Sequence, residues 1–314
     1  MKIISAQQVA SQLNFTRLIT ALREGFAQQA GMPTRNVYEL NQQPDNHDAF
    51  AVLPAWNETV IGVKAFTYFP HNKQQQKATL HSKIMLFDRQ YGEPLALVDG
   101  TEVTLWRTAA VSALAADYLA PKNARHLVFF GSGNLSSYMI NAHLAVRDYH
   151  QVTVIARNQD AGLALVESLS VEYPEIKFNF AQQACESIIA NADVISCATG
   201  SQQPLFKGKW VTPGTHIDCI GNHHREGREC DSETVCKSRV FVDSRANVLN
   251  EAGELLLPIK EGVFSPTDVV AELSEMTKDQ GGRETEQEIT LFKSVGTALS
   301  DLIGAKLVYD LVQQ

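Results

Sequence analysis

The sequence predicts an α/β protein that combines a Rossmann-type, doubly wound parallel sheet with a discontinuous α+β domain. From residue 126 onward, short apolar strands alternate with helices, which requires crossover connections between parallel strands. The first half instead carries β-rich runs broken by prolines and turns, a pattern typical of a mainly antiparallel sheet. A last apolar helix follows the second domain and is expected to pack back on the first. We therefore predict one domain from residues 1–117 and 292–314, and another from residues 118–291.

Composition and charge limit the function classes. The chain has 314 residues, 44% of them hydrophobic and 20% charged, as in ordinary soluble globular proteins. A net charge of −8 argues against a nucleic-acid or membrane partner, because phosphate surfaces would repel it. The five cysteines form no C-x-x-C pair, and the first residues have no basic run before an apolar stretch. Reduced thiols and a cytoplasmic location are predicted.

The elements of the first domain follow from caps, turns and apolar spacing. Ser5-Ala6-Gln7-Gln8 has the form of a capping box at the start of an apolar helical face. The predicted elements are two helices between Ser5 and Gly31, extended chain from Pro33, β-rich runs over residues 49–69 and 80–98, and an alanine-rich helix that opens at Arg107 and ends before Pro121.

In the second domain the pattern is repeated strand and helix. The predicted strands cover residues 126–130, 152–156, 176–180, 194–197, 216–220 and 240–242. The predicted helices cover residues 136–146, 161–169, 185–189 and the closing segment 289–312, with a polar loop over 277–288. In such a sheet the ligand crevice lies at the carboxyl ends of the strands.

The first strand of this domain runs into a glycine-rich turn. Gly131 and Gly133 allow the backbone to approach a ligand, and the helix that follows offers unpaired N–H groups and a positive dipole end. This order suits a pyrophosphate, with Asn134 and Leu135 in the same turn. The third small position of the motif is Ser136, and a Gly-x-Gly turn also ends many ordinary strands, which is the alternative. The domain 118–291 is therefore predicted to bind a dinucleotide.

The end of the second strand indicates which dinucleotide. An acidic residue there would bind the ribose hydroxyls of NAD(H), but this chain has Ala156, Arg157 and Asn158. We predict NADPH, with Arg157 on its phosphate and NADH as a weaker substitute; the alternative is a solvated loop cation. Thr199, in the turn after residues 194–197, is expected to contact the cofactor, or else only to cap its own turn.

Three cations of the first domain lie among apolar or small residues. Arg35, Lys64 and Arg107 are each expected to have a partner, because charge in such surroundings is otherwise unfavourable. At a predicted helix start, Arg107 would need an anion to offset the helix dipole. A substrate carboxylate meets this need, with arginine as a fork and lysine as a point charge. The alternative is three separate structural ion pairs.

Histidines are candidates for acid–base catalysis. His223 follows a predicted strand end at Ile220 and Gly221, where a crevice residue belongs, although a surface histidine is the competing interpretation. Cys219 and His223 are four residues apart, but no further ligands stand at zinc-like spacing, so no metal site is predicted.

Several stretches, in order along nearly the whole chain, resemble the ornithine cyclodeaminase and mu-crystallin family. They are Gly62-Val63-Lys64, Leu86-Phe87-Asp88, Gly92-Glu93-Pro94-Leu95-Ala96, Asp99-Gly100, Arg107-Thr108-Ala109-Ala110, Gly214-Thr215-His216-Ile217, Arg228-Glu229, Val240-Phe241-Val242-Asp243, Glu251-Ala252-Gly253-Glu254-Leu255 and Phe292-Lys293-Ser294-Val295-Gly296.

The resemblance implies a homodimer built through the first domain, an NAD(P)-binding Rossmann domain, and a substrate carboxylate held by Arg35, Lys64 and Arg107. Thr79 is similar to a family position that touches the cofactor, and Val295 to one that lines the substrate pocket. Arg107, Asn158, Ile220 and Gly221 complete the expected cofactor contacts. Lys64, Arg107 and His223 are the expected catalytic residues.

Two departures from the cyclodeaminases of this family point to a different reaction. Their catalytic aspartate follows a V-G-G stretch, where this chain reads Ile220-Gly221-Asn222-His223, and Ala51 stands where they have a glutamate. The chain resembles cyclic ketimine reductases better, which implies NADPH-dependent reduction of 1-pyrroline-2-carboxylate, or of its six-membered homologue 1-piperideine-2-carboxylate, to L-proline or L-pipecolate. The alternatives are an ornithine cyclodeaminase or other amino-acid dehydrogenase, an N-substituted amino acid synthase, and a crystallin-like protein that binds NADPH without turnover.

Overall fold

A computed structural model describes residues 1–41 and 48–314. The chain divides into two compact units, the first made of residues 1–108 and 297–314 and the second of residues 109–296. The predicted boundary at 117/118 falls later in the helix that contains residue 108, and that at 291/292 falls inside a strand of the second unit.

The described chain contains the following strands and helices. The strands are β1 (Lys2–Ile4), β2 (Asn36–Glu39), β3 (Ala49–Trp56), β4 (Val60–Tyr68), β5 (Leu80–Asp88), β6 (Pro94–Asp99), β7 (His126–Phe130), β8 (Gln151–Ile155), β9 (Lys177–Ala181), β10 (Val194–Cys197), β11 (His216–Cys219), β12 (Ser238–Val242), β13 (Val269–Glu272) and β14 (Ile289–Lys293). The helices are α1 (Ala6–Gln12), α2 (Phe15–Ala27), α3 (Gly100–Leu119), α4 (Ser136–Leu144), α5 (Gln159–Glu172), α6 (Glu186–Ile189), α7 (Ser232–Lys237), α8 (Arg245–Glu251), α9 (Gly253–Lys260), α10 (Leu273–Met276) and α11 (Ala298–Gln313).

The first unit is built on a six-stranded sheet in the order β1-β6-β5-β4-β3-β2. All neighbours are antiparallel except β1 and β6, so the predicted antiparallel sheet is confirmed. The predicted capping box at Ser5 is also present, since its side chain accepts from the backbone of Gln8. Helix α11 packs on this sheet and on α2, as expected for the last helix. A Cβ on Gly62 would lie 2.5 Å from Leu302, so glycine lets the helix approach β4 closely.

The second unit is an eight-stranded, fully parallel sheet in the order β13-β12-β14-β11-β10-β7-β8-β9. From β7 the chain moves through β8 to β9 in one direction, and from β10 to β11 in the other. The predicted Rossmann-type sheet is thereby confirmed. The order reverses between β7 and β10, so the ligand crevice belongs at the carboxyl ends of these two strands.

The predicted helix over residues 289–312 is wrong in its first part. Residues Ile289–Lys293 form β14, which pairs on both sides with β11 and β12, and α11 begins only at Ala298. A strand that is covered on both faces has a continuous apolar run, which periodicity alone does not distinguish from a buried helix. The short strands β1 and β13 were not predicted either.

The predicted start of the alanine-rich helix at Arg107 is also wrong, because α3 begins at Gly100. Asp99 receives the backbone N–H of Glu102 at 2.9 Å and so caps this earlier start. Arg107 therefore lies in the interior of α3, and the helix dipole does not account for its partner. Within the described parts of the chain, no helix has both the length and the apolar composition needed to cross a bilayer.

Candidate functional site

The turn after β7 has the geometry of a phosphate cradle. Gly131 has a φ of +139°, which L side chains rarely adopt, and a Cβ there would lie 3.1 Å from the carbonyl oxygen of Ala198. A Cβ on Gly133 would meet no atom within 4 Å, so this side of the turn is open. Helix α4 follows without a side-chain cap at Leu135. The N–H of Ser136 donates to the carbonyl of Gly133 at 3.0 Å. An uncapped, positively polarised N-terminus of this kind suits an anion.

Ser136 adds a polar group to the same turn. Its hydroxyl is buried and has no hydrogen-bond partner among the described residues, and it lies 3.4 Å from the position of a Cβ on Gly131. A buried hydroxyl without a partner is unfavourable unless a ligand supplies one. The turn, with exposed Asn134, therefore fits the pyrophosphate of a dinucleotide.

The end of β8 places an exposed cation beside the next helix. Asn158 caps α5 by accepting the backbone N–H of Ala161 at 3.1 Å, and Arg157 is exposed just before it. Within residues 1–41 and 48–314, Arg157 makes no ion pair. Its guanidinium is free to bind a phosphate, and Ala156 offers no carboxylate to a ribose.

The turns after β10 and β11 are held together by one buried carboxylate. Glu229 accepts the backbone N–H and the hydroxyl of Thr199 on one oxygen, at 2.6 and 2.8 Å, and the backbone N–H of Gly221 on the other, at 2.8 Å. A Cβ on Gly221 would lie 2.0 Å from the nitrogen of Thr199, so only glycine allows this approach. The Thr199 hydroxyl also accepts the backbone N–H of Ser201 at 3.2 Å, a contact within its own turn. Buried Ile220 continues β11 by donating to the carbonyl of Cys197 at 3.0 Å.

A second buried charge pair lies next to Glu229. Lys293 is fully buried, stands 2.9 Å from Glu254, and donates to the backbone carbonyl of Asn222 at 2.7 Å. Glu254 in turn accepts the backbone N–H of Glu229 at 3.0 Å. Burial raises the pKa of Glu229 to about 8, assisted by Cys219 and opposed by Lys293. Burial opposes the charge of Lys293, but Glu254 and Glu229 raise its pKa above the ordinary value.

In the first unit, Lys64 and Arg107 share a single carboxylate. Lys64 Nζ and Arg107 Nε lie 3.1 and 2.9 Å from the same oxygen of Asp301, and the three residues are 5%, 8% and 1% exposed. Both cations therefore form structural ion pairs, as the alternative expected, but they share one carboxylate instead of having separate partners. Two positive charges and one negative charge leave a net charge of +1, which a substrate carboxylate would neutralise.

Lys64 also retains hydrogen-bonding capacity. Its ammonium donates to Thr104 Oγ1 at 2.6 Å and to Asp301, so one of its three N–H groups is available. Burial lowers the pKa of Lys64 to about 8, Asp301 raises it, and Arg107 and Arg35 lower it. A lysine with this pKa changes its charge close to physiological pH.

The remaining predicted residues are more scattered. In the first unit, Arg35 is half-buried before β2 and acts on the pKa of Lys64, while Thr79 is half-buried before β5 and accepts the N–H of Phe69 at 2.7 Å. In the second unit, His223 is exposed in the turn after β11, and Val295 is 4% exposed and donates its N–H to Asp243 at 3.1 Å.

The sequence interpretation missed Asp301 and Glu229. Asp301 is a single carboxylate in an apolar helix, and Glu229 is a single carboxylate in a turn. In each case the sequence offers only one sign of a role, which is a charged residue at a position that the fold buries. Over the described residues, no group of three or more His, Cys, Asp or Glu side chains is arranged to hold a metal ion.

Comparison with known proteins adds a family match over the full length. A model described as the ornithine cyclodeaminase/mu-crystallin family matches residues 1–314. The chain is 54% identical over 313 residues to the Delta(1)-pyrroline-2-carboxylate reductase of Colwellia psychrerythraea, covering 99% of this chain and 99% of that protein.

Two solved structures share the whole fold. The Delta(1)-pyrroline-2-carboxylate reductase of Thermococcus litoralis, in complex with NADH and L-proline, matches with a TM-score of 0.93 and 32% identity over 100% of this chain and 98% of that one. An archaeal alanine dehydrogenase dimer with bound NAD matches with a TM-score of 0.91 and 28% identity over 100% and 96% of the two chains.

Proposed function

Because the chain belongs to the ornithine cyclodeaminase/mu-crystallin family, we propose that it is an NAD(P)H-dependent ketimine reductase that converts 1-pyrroline-2-carboxylate to L-proline. The observation that carries this proposal is the 54% identity, over 99% of both chains, to a Delta(1)-pyrroline-2-carboxylate reductase. The net positive charge on the Lys64, Arg107 and Asp301 cluster supports it, since the substrate carries a carboxylate next to the C=N bond. The six-membered homologue 1-piperideine-2-carboxylate is a second proposed substrate.

Different residues bind the substrate, donate the proton and form the pocket wall in the proposed reaction. Lys64 and Arg107, with Arg35, bind the substrate carboxylate and so orient the adjacent C=N carbon. When bound, the reduced nicotinamide supplies the hydride that this carbon accepts. The imine nitrogen reacts in its protonated form. Addition of the hydride to the carbon then converts the C=N bond to a C–N bond and leaves an oxidised nicotinamide. We assign His223 as the proton donor to this nitrogen, and Val295 as part of the pocket wall.

A direct assay tests the reaction. We expect the protein to consume NADPH with 1-pyrroline-2-carboxylate, followed by the absorbance of the reduced nicotinamide, and to form L-proline. L-ornithine with NAD should release no ammonia, because the chain lacks the aspartate and glutamate that cyclodeaminases use. Ammonia release from ornithine without imine reduction would contradict the proposal. So would tight NADPH binding with no oxidation by either cyclic imine, which is the behaviour of a ligand-binding protein.

The proposed cofactor preference is for NADPH, with the phosphate on Arg157 and the pyrophosphate on the turn from Gly131 to Leu135. It is supported by the exposed guanidinium after β8 and by the lack of an acidic residue at the end of that strand. Thr79, Arg107, Asn158, Thr199, Ile220 and Gly221 are proposed as further cofactor contacts.

Replacing Arg157 by alanine should lower kcat/KM for NADPH about 10- to 100-fold, since a charged hydrogen-bonded pair with the phosphate is lost. The value for NADH should change by less than about threefold, because NADH carries no such phosphate. Lys177→Ala is the matched control, an exposed cation at the start of β9 and so at the amino ends of the strands, whereas Arg157 follows a carboxyl end. Equal losses for both cofactors would reject the role of Arg157.

A homodimer built through the first unit is also proposed. In this unit β2 is an edge strand whose four residues are all exposed, and Val37 and Tyr38 are 54% and 53% exposed. Exposed apolar side chains on an edge strand form a surface that proteins usually cover. The five cysteines are free, which fits the reducing cytoplasm that we propose as its compartment.

A further inference from the structure

Among the described residues, Asp301 is the acidic group bonded to both buried cations of the first unit. We propose that Asp301 is a positioning residue of the substrate site, which aims Lys64 and Arg107 at one carboxylate and keeps Lys64 charged while it binds. This inference rests on the proposed function, because it concerns how that site recognises its substrate.

The two cations converge on one oxygen of Asp301. One oxygen of Asp301 receives both cations, at 3.1 Å from Lys64 and 2.9 Å from Arg107, so their nitrogen atoms converge on one point. The other oxygen is buried and has no hydrogen-bond partner among the described residues. Arginine–carboxylate pairs frequently form two parallel hydrogen bonds, whereas Arg107 donates to Asp301 through Nε alone. The observed arrangement leaves the terminal nitrogens of Arg107 and one N–H of Lys64 for another anion.

The charges of Lys64, Arg107 and Asp301 are only partly balanced. Removing one partner of a buried ion pair leaves an uncompensated charge, which proteins avoid. In this cluster the positive charge is only partly neutralised, because two cations share one anion. All three side chains have exposed fractions of 8% or less. Without Asp301 two like charges would face each other in a buried site, and the lysine would lose its proton more readily. Asp301 therefore keeps the net charge of the site at +1, where the two cations alone would give +2.

The surroundings of Lys64 contain few other charges that act on it. Those that do are Asp301 on α11, Arg107 on α3, and Arg35 before β2. The neighbouring strands place apolar residues opposite Lys64, Leu53 on β3 and Ile84 on β5. The Thr104 hydroxyl accepts a hydrogen bond from the Lys64 ammonium at 2.6 Å and donates one to the backbone carbonyl of Gly100. Among the described residues, Asp301 is thus the negative group with the largest effect on Lys64.

The sign of the pH effect follows from these groups. Burial lowers the pKa of Lys64 to about 8 although Asp301 raises it, so loss of Asp301 lowers this pKa further. At about pH 6.5 both forms of the site hold a charged lysine, and an Asp301→Asn variant has one more positive charge than the wild type. At about pH 9 the variant has lost the lysine charge to a greater extent. Its affinity for a carboxylate should therefore be higher than that of the wild type at low pH and lower at high pH.

The test measures binding of pyrrole-2-carboxylate, a planar carboxylate whose ring nitrogen does not titrate in this range. The dissociation constant is determined with NADPH present, by calorimetry, from about pH 6 to about pH 9.5 for the wild type, Asp301→Asn and Asp301→Glu. We expect wild-type affinity to fall above about pH 8, and the fall in Asp301→Asn to begin at least about one pH unit lower. Asp301→Glu restores the negative charge and should return the profile toward the wild type. Asp310→Asn is the matched control on the same helix, because Asp310 pairs with Lys306 and not with the cluster.

The binding profiles distinguish a positioning role of Asp301 from a purely structural one. If Asp301→Asn follows the wild-type profile, or binds more tightly at every pH, Asp301 has only a structural role. If that variant does not fold, Asp301→Glu decides instead, because it keeps the negative charge but displaces the carboxylate: weaker binding with a wild-type pH profile supports the positioning role, and wild-type affinity at every pH overturns it. Wild-type protein that neither binds the carboxylate nor reduces the imine would refute the proposed function instead.

Discussion

Replacing Arg107 by methionine is expected to lower kcat/KM for 1-pyrroline-2-carboxylate by about a hundredfold or more. Arg107 is 8% exposed, and within the described chain it donates only through Nε, to Asp301 at 2.9 Å. Its terminal nitrogens are therefore available for a two-point contact with the substrate carboxylate. The loss should appear in KM and in kcat, because the same contact orients the C=N carbon. Steady-state kinetics with saturating NADPH measure both.

Two further variants make the Arg107 result specific. Arg107→Lys keeps the positive charge but not the fork, and should recover only part of the activity. Arg89→Met removes an exposed arginine from the same unit and should leave the kinetics unchanged within about twofold. Near-wild-type activity of Arg107→Met, with correct folding, would show that the carboxylate binds elsewhere.

Replacing Lys293 by methionine should destabilise the protein by about 3–5 kcal/mol. The ammonium of Lys293 is fully buried, 2.9 Å from Glu254, and it opposes the rise in the pKa of Glu229. Without it, two buried carboxylates lose their cation, and each must accept a proton or bear the desolvation. Denaturant unfolding of the variant and the wild type measures the difference.

The pH dependence gives this second prediction an internal check. The pKa of Glu229 is about 8 in the folded protein against 4.5 ordinarily, so between these values the folded state binds more protons than the unfolded state. Its contribution to stability is therefore present at low pH and falls as pH rises toward about 8. Loss of Lys293 should deepen this fall, so the gap between variant and wild type widens from pH 5 to pH 8. A difference in stability that is constant with pH would mean that the defect is only one of packing.

The double variant Lys293→Met with Glu254→Gln should be more stable than Lys293→Met alone, because it leaves one buried carboxylate fewer without a cation.

Local patterns predicted much of the fold, because the relevant interactions are close in the sequence. The capping box at Ser5 and the strand, turn and helix from His126 to Leu144 depend on neighbouring residues, and the structure contains both. By contrast, β14 was misassigned because its apolar run is explained only by burial between β11 and β12. Strand order is a property of the whole unit and not of any one segment.

The candidate site shows the same division. Gly131, Gly133 and Arg157 could be proposed from the sequence because their expected roles follow from position relative to one strand and one helix. Asp301 was not, because it meets Lys64 across 237 residues of sequence and Arg107 across 194. Glu229 meets Thr199 across 30. An isolated carboxylate carries no local signal of which distant cation or turn it serves.

The position of β14 has a consequence for synthesis of the chain on the ribosome. Because β14 lies between β11 and β12, strands β12 and β13 have no place in the sheet until residues 289–293 have been translated. The first unit also waits, since α11 covers its sheet and supplies Asp301. Neither unit is complete in a nascent polypeptide that lacks its last segment, so a premature stop near residue 285 would leave both cores open to chaperones and proteases.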